Sequence, residues 1–317
     1  MHLLAAPDKF RGTLTAREAA AAIAAGAAGA GWTATELPLA DGGEGTLDVL
    51  GGGNRRTTVT GPLGERIEAE WRLEDDGTAL IEAALACGLS LAGGPGHNDP
   101  LAASSRGVGE LVAAAAAEGA ARIVVGVGGV ASTDGGVGAV AALPPELPPI
   151  DVACDVDARF LDAADVFAPQ KGATPEQVRA LRGRLAQLDV PDVPGAGAAG
   201  GLAGGLAAVG ACLLPGFDLV AARLGFDDRL AEADLVVTGE GRVDATSFTG
   251  KVVGRVLARA EAARVEALVL AGDVAAGSPI DAVSLVERYG PERAHAAPAK
   301  CLAELAETTL AARRNGP

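Results

Sequence analysis

Several stretches of this chain set carboxylates at turns, most of them among glycines. They are Asp41-Gly42-Gly43-Glu44-Gly45, Asp134-Gly135-Gly136-Val137-Gly138 and Gly239-Glu240-Gly241-Arg242-Val243-Asp244, together with the acidic pair of Asp155-Val156-Asp157. Glycine lets a backbone come close to a ligand, and its free N–H groups cradle phosphate oxygens. Carboxylates at such turns suit Mg²⁺, which takes few protein ligands and keeps water and phosphate around it. Each acidic residue alone could equally cap a helix or a turn. Four such segments in one chain favour a site.

Lysine usage points the same way. Of 26 cationic side chains only four are lysines: Lys9, Lys171, Lys251 and Lys300. Three of them lie in turn-rich segments: Asp8-Lys9-Phe10-Arg11-Gly12, Pro169-Gln170-Lys171-Gly172 and Thr249-Gly250-Lys251. A compact ammonium among arginines marks places where an anion has to be met.

Other chemistries find less support. Gly195-Ala196-Gly197-Ala198-Ala199-Gly200 fits a dinucleotide fingerprint, but Pro191 and Pro194 precede it where a strand is needed. The run from Gly126 to Ala131 follows an apolar segment, yet no acidic residue stands at the right distance to hold a ribose. Gly250-Lys251 lacks the upstream spacing of a Walker A loop, and no GxSxG is present. The three histidines, His2, His97 and His295, are scattered and read as structural or exposed. A net charge of −15 with no basic run argues against nucleic acid.

The elements that must position these residues read as strand and helix in alternation. Leu3–Ala6 is a short apolar strand, and Thr15 with Glu18 forms a capping box at the head of an alanine-rich helix over about 16–28. A strand over 33–39 leads to Asp41. Near the other end, strands at Leu235–Val237 and Ala267–Leu270 run into Gly239-Glu240-Gly241 and Gly272-Asp273, with a helix after Gly250. Arg293–His295 is expected as a last edge strand before a helix over 302–314. In such doubly wound sheets ligands bind beyond the carboxyl ends of the strands.

The middle differs. Val59–Leu73 alternates and turns at Gly61-Pro62, which predicts a hairpin, and Ala79–Ile81 and Ile123–Val127 are further strands. The fold class expected is therefore α/β with two domains: a flavodoxin-like parallel sheet from residues 1–55 and 231–317, and a second α/β domain inserted as residues 56–230. The proline-rich segment 143–149 is a stiff connection.

No stretch of about 18 uncharged apolar residues occurs, and the apolar start Leu3–Ala6 is too short for a signal peptide. Cys87, Cys154, Cys212 and Cys301 form no CxxC pair, so reduced thiols and a cytoplasmic location are expected.

Taken together, Ala6–Leu14, Pro38–Thr46, Gly126–Gly136, Cys154–Asp157, Pro169–Ala173, Gly197–Gly201 and Thr238–Asp244 resemble, in order, the motifs of the type I glycerate kinases. The resemblance covers most of the chain. It implies phosphorylation of D-glycerate by ATP with Mg²⁺, in a cleft between two α/β domains. The family usually carries a small hydroxyl residue at the position of Lys9 and a lysine at that of Arg11. It also has longer segments where this chain has 138–151 and 157–167, a trimming that would bear on substrate range or oligomer contacts.

Phosphoryl transfer asks for positioning and charge neutralisation. The metal then falls to Asp155 or Asp157 with Glu240 or Asp244, and the nucleotide to Gly42, Gly43, Gly128, Gly129, Gly135, Gly239 and Gly241. Lys251 or Lys171 would neutralise the transferred group. Asp8, Asp41 or Asp134 would accept the proton of the attacking hydroxyl. Arg11, Arg106 or Arg242, helped by Lys9 and Ser132, would hold the substrate. The rivals are a non-catalytic sugar-acid or nucleotide binder and a dehydrogenase. Homo-oligomerisation stays open.

Overall fold

The computed structural model describes residues 1–248 and 250–314, so Thr249 of the third lysine segment lies outside the described residues. Eleven strands follow in chain order: β1 His2–Ala5, β2 Thr33–Glu36, β3 Arg55–Thr60, β4 Arg66–Leu73, β5 Thr78–Glu82, β6 Arg122–Gly126, β7 Ile150–Ala153, β8 Cys212–Leu214, β9 Leu235–Val243, β10 Glu266–Val274 and β11 Val283–Ser284. They form two sheets with helices between the strands, the α/β architecture expected. The chain divides into two compact units, Met1–Asp41 with the part from Val220 onward, and Gly42–Leu219. The sequence pattern alone suggests cuts near 56 and 230.

The first unit holds a five-stranded, wholly parallel sheet in the order β11-β10-β9-β1-β2. Counted within the unit this is 2-1-3-4-5, the flavodoxin-like order, whose strand direction of winding reverses between β1 and β9. The strands are apolar runs because both faces are covered; Leu3, Leu4, Val236 and Val237 are fully buried. One face is closed by the helix Ala16–Gly29, and its capping box is present: Glu18 N donates to Thr15 Oγ1 at 3.1 Å and Thr15 N to Glu18 Oε2 at 2.9 Å. Trp32 is buried in this core with Ile23, Leu302 and Leu305.

The expected edge strand at Arg293–His295 is a helix, Pro291–Ala296. Pro291 supplies a first-turn φ, and His295 Nδ1 meets the Pro291 carbonyl one turn back. The edge is taken by β11 instead.

The second unit holds a six-stranded sheet in the order β3-β4-β5-β6-β7-β8. β3 and β4 form the expected antiparallel hairpin, with Val59 opposite Ile67, and β5 to β8 run parallel. Every residue of β5 is buried. Trp71, fully buried, packs in this unit's main core with Leu111, Ile123 and Val125. Among the described residues no helix is long and apolar enough to cross a membrane.

Candidate active site

In the first unit the chain leaves β1 without leaving the sheet. Ala6 N donates to Val237 O at 2.8 Å and Asp8 N to Gly239 O at 2.9 Å, while Thr238 Oγ1 donates to Ala6 O at 2.8 Å. On the other side Leu37 N donates to Ala5 O at 2.8 Å and Leu39 N to Pro7 O at 2.9 Å. Segment 6–8 is thus pinned between the continuations of β2 and β9. Pro7 costs nothing there, since its carbonyl is used and its missing N–H is not needed. The pinning delivers Asp8, Asp41 and Glu240 to the carboxyl ends of three adjacent strands, at the winding reversal.

Their electrostatics follow from crowding. Asp8 is buried, and burial first, then the Asp41 and Glu240 charges, push its carboxyl up to about 7, against Lys9. Its Oδ1 accepts Lys9 N at 2.7 Å. Burial likewise raises Glu240, with the Asp244 and Asp41 charges adding to it; the Ser247 hydroxyl and the Lys251 ammonium pull the other way. Glu240 is 8 % exposed, and among the described residues its Oε1 has no hydrogen-bond partner. An unsatisfied buried carboxylate oxygen beside two further carboxylates is costly unless a cation or proton is supplied.

Behind these groups the loops stack closely. A Cβ on Gly241 would sit 2.8 Å from Arg11 N, so only glycine lets the Phe10–Leu14 turn rest on β9. Phe10 anchors that turn from below at 1 % exposure, and Phe10 N and Leu14 N each bond the other's carbonyl at 2.9 Å. Gly239, Arg242 and Asp244 share this strand end, with Arg242 exposed.

In the second unit Gly42-Gly43-Glu44-Gly45 lies over the ends of β5, β6 and β7. Glu82, at the end of β5, accepts Gly45 N and Leu47 N at 3.0 Å each. A Cβ on Gly128 would fall 2.7 Å from Gly43 Cα, which is why glycine stands at position 128. Glu82 was missed by motif reasoning, because nothing in Thr78–Glu82 marks a strand-terminal carboxylate as a cap for a helix 35 residues away.

Gly129 continues this loop to Ser132, Asp134 and Gly135. Asp134 is fully engaged: Oδ2 accepts Ser105 N at 2.9 Å, Ser105 Oγ at 2.8 Å and Gly138 N at 3.2 Å, and Oδ1 accepts Gly136 N at 3.1 Å. Lys171 is buried behind the loop, where its Nζ donates to Ser132 O. Burial lowers this ammonium to about 8, although the Cys87 and Asp134 charges oppose the shift. Arg106 is exposed and bonds Glu110 Oε1 at 2.9 Å.

The four expected metal ligands divide. Asp155 caps the helix Gly216–Leu224, its Oδ1 accepting Gly216 N at 3.0 Å and its Oδ2 Phe217 N at 2.8 Å. Asp157 is exposed. Glu240 and Asp244 stand within electrostatic reach of each other in the first unit. Among the described residues no three His, Cys, Asp or Glu side chains form a closed metal cage. Mg²⁺ carried on phosphate needs no such cage, and the unsatisfied Glu240 oxygen fits it.

The glycerate kinase family model matches residues 3–148 and 148–312. The chain belongs to the glycerate kinase family. It is 37% identical over 305 residues to the glycerate 2-kinase of Escherichia coli strain K12, across 80% of each chain. It is 46% identical over 307 residues to an uncharacterized protein of Mycobacterium bovis, across 86% of this chain and 79% of that one. A crystal structure from Salmonella typhimurium LT2, of a protein provisionally named glycerate kinase 2, superposes with a TM-score of 0.81 at 34% identity, covering 100% of this chain and 99% of that one. The chain is therefore an enzyme of the kinase class, acting with a nucleotide on a small molecule.

Proposed function

We propose that this enzyme phosphorylates D-glycerate with ATP and Mg²⁺ in the cytoplasm. The observation that carries the reading is the carboxylate group of Asp8, Asp41 and Glu240 at the flavodoxin-like winding reversal, with one Glu240 oxygen buried and, among the described residues, unsatisfied. Glu240, with Asp244 beside it, would hold the magnesium, which when bound neutralises phosphate charge. Asp8 takes the proton of the attacking hydroxyl: a carboxyl titrating near 7 is matched to proton transfer at neutral pH. Lys251 answers the charge around Glu240. Arg11 holds the substrate carboxylate. In the second unit the backbone N–H groups around Gly42, Gly43, Gly128 and Gly129 take phosphate oxygens, while Lys171 and Asp134 hold the Ser132–Gly135 loop in shape. The free thiols Cys87, Cys154, Cys212 and Cys301 support a reducing compartment.

The Escherichia coli relative's name specifies the 2-hydroxyl, and we extend that regiochemistry to this chain. A coupled ADP-release assay over a panel of small hydroxy acids tests the activity, with phosphorus NMR of the product for the position. D-glycerate should give the highest kcat/KM and 2-phosphoglycerate the product signal. Absence of ADP release with every acid removes the reading, and a 3-phosphoglycerate signal removes the regiochemistry.

A further inference from the structure

A small pocket in the first unit lies against the Phe10–Leu14 turn and the ends of β9 and β10. Its polar lining consists of Arg11, Thr13, Asp273 and His295, and Gly241 and Gly272 form part of its wall. Its volume is about 60 Å³. At roughly 10–15 Å³ per water, that is room for about four waters, or for one molecule of a few bonded heavy atoms. A nucleoside needs a cleft of roughly several hundred Å³.

The lining groups are not spent on each other. Among the described residues neither the Arg11 guanidinium nor the Asp273 carboxylate makes a hydrogen bond or an ion pair, although both face one pocket. Thr13 Oγ1 donates to Phe10 O at 2.9 Å, which leaves its lone pairs free to accept. His295 Nδ1 lies 2.7 Å from the Pro291 carbonyl, an atom that can only accept, so Nδ1 carries the proton and, among the described residues, Nε2 stays open. One fixed cation, one carboxylate and two open acceptors in so small a space match a short chain bearing one carboxylate and several hydroxyls. The pocket is also adjacent in sequence to the proposed chemistry: Arg11 is three residues from Asp8, and Gly241 follows Glu240.

We infer that this pocket seats the hydroxy acid, with Arg11 gripping its carboxylate and Asp273 accepting a hydroxyl that does not react. Asp273 is then a specificity residue, separating acids with a second hydroxyl from those without one. A site built around a substrate hydroxyl rejects the analogue lacking it, because its own polar group is left unpaired. The inference rests on the glycerate kinase reading for its ligand.

The test is calorimetric titration of D-glycerate and D-lactate into nucleotide-free enzyme, wild type and Asp273→Asn, alongside ADP-release kinetics. Wild-type enzyme should bind D-glycerate at least about tenfold more tightly than D-lactate. In Asp273→Asn the D-glycerate Kd and KM should rise about tenfold or more and the preference over D-lactate should collapse, with the KM for ATP unchanged. Arg11→Lys, which loses the bidentate fork, should weaken both acids together. A melting temperature equal to wild type confirms that Asp273→Asn is folded, as expected for a side chain that makes no hydrogen bond or ion pair among the described residues. Asp273→Asn with a D-glycerate Kd within about twofold of wild type and its preference intact overturns the assignment. If wild-type enzyme binds D-glycerate, Asp273→Asn weakens that binding and neither releases ADP, the kinase reading falls and the pocket stands. If it releases ADP and Asp273→Asn is indistinguishable from wild type, the reverse holds.

Discussion

Asp8 is the residue on which the proposed chemistry turns. Its carboxyl titrates near 7 because burial and two neighbouring carboxylates disfavour the ion. A base works only when ionised, so kcat/KM for D-glycerate should climb as pH rises through about 7. Asp8→Asn should lower kcat by about 10²-fold or more and remove that ascending limb. A variant that keeps the limb would pass the role to Asp41. Asp134, an equal candidate from its motif, accepts four hydrogen bonds that tie Ser105 to the glycine turn, so its carboxylate is already committed. Sequence spacing could nominate both aspartates but not rank them. What separates them is burial and partners, and those come from Ser105 and Glu240, 29 and 232 residues away in the chain.

At the level of elements, the helix Gly216–Leu224 begins on two backbone N–H groups that Asp155 satisfies. Asp155→Ala should cost about 1 kcal/mol of stability, as a lost N-cap does, with kcat within about twofold, read by denaturant melts beside the coupled assay. A hundredfold loss of kcat at unchanged stability would return Asp155 to the metal. Elements whose signals are local were legible: the Thr15–Glu18 box, the Val59–Leu73 hairpin and the apolar runs of β1, β5, β6, β9 and β10 all stand where their pattern placed them. β7 and β8 escaped because each is only three or four residues long, and β7 carries Asp151 in its interior, made tolerable by Arg122 of the neighbouring strand at 2.5 Å. The helix Pro291–Ala296 was mistaken for a strand because a six-residue helix shows too little periodicity to outweigh its β-compatible neighbours.

Over the whole molecule, the charge of −15 opposes an anionic acid and an anionic nucleotide alike. Salt screens that repulsion. The KM for D-glycerate should therefore fall, by roughly twofold, as ionic strength is raised from about 20 to about 200 mM. A KM that rises steeply with salt would indicate that local cations such as Arg11 outweigh the global field. The alternating strand–helix order and the acidic glycine turns made the two-sheet architecture legible. The division at Asp41 and Val220 was less so, because Gly42–Gly45 reads as the tail of β2 while its backbone is packed on β5, β6 and β7.

The scarcity of aromatics leaves two tryptophans, and the fold places Trp32 in the core of one unit and Trp71 in the core of the other. Intrinsic fluorescence thus carries two separable reporters: Trp71→Phe leaves an emission that follows the flavodoxin-like unit, and Trp32→Phe one that follows the mixed-sheet unit, without any attached dye.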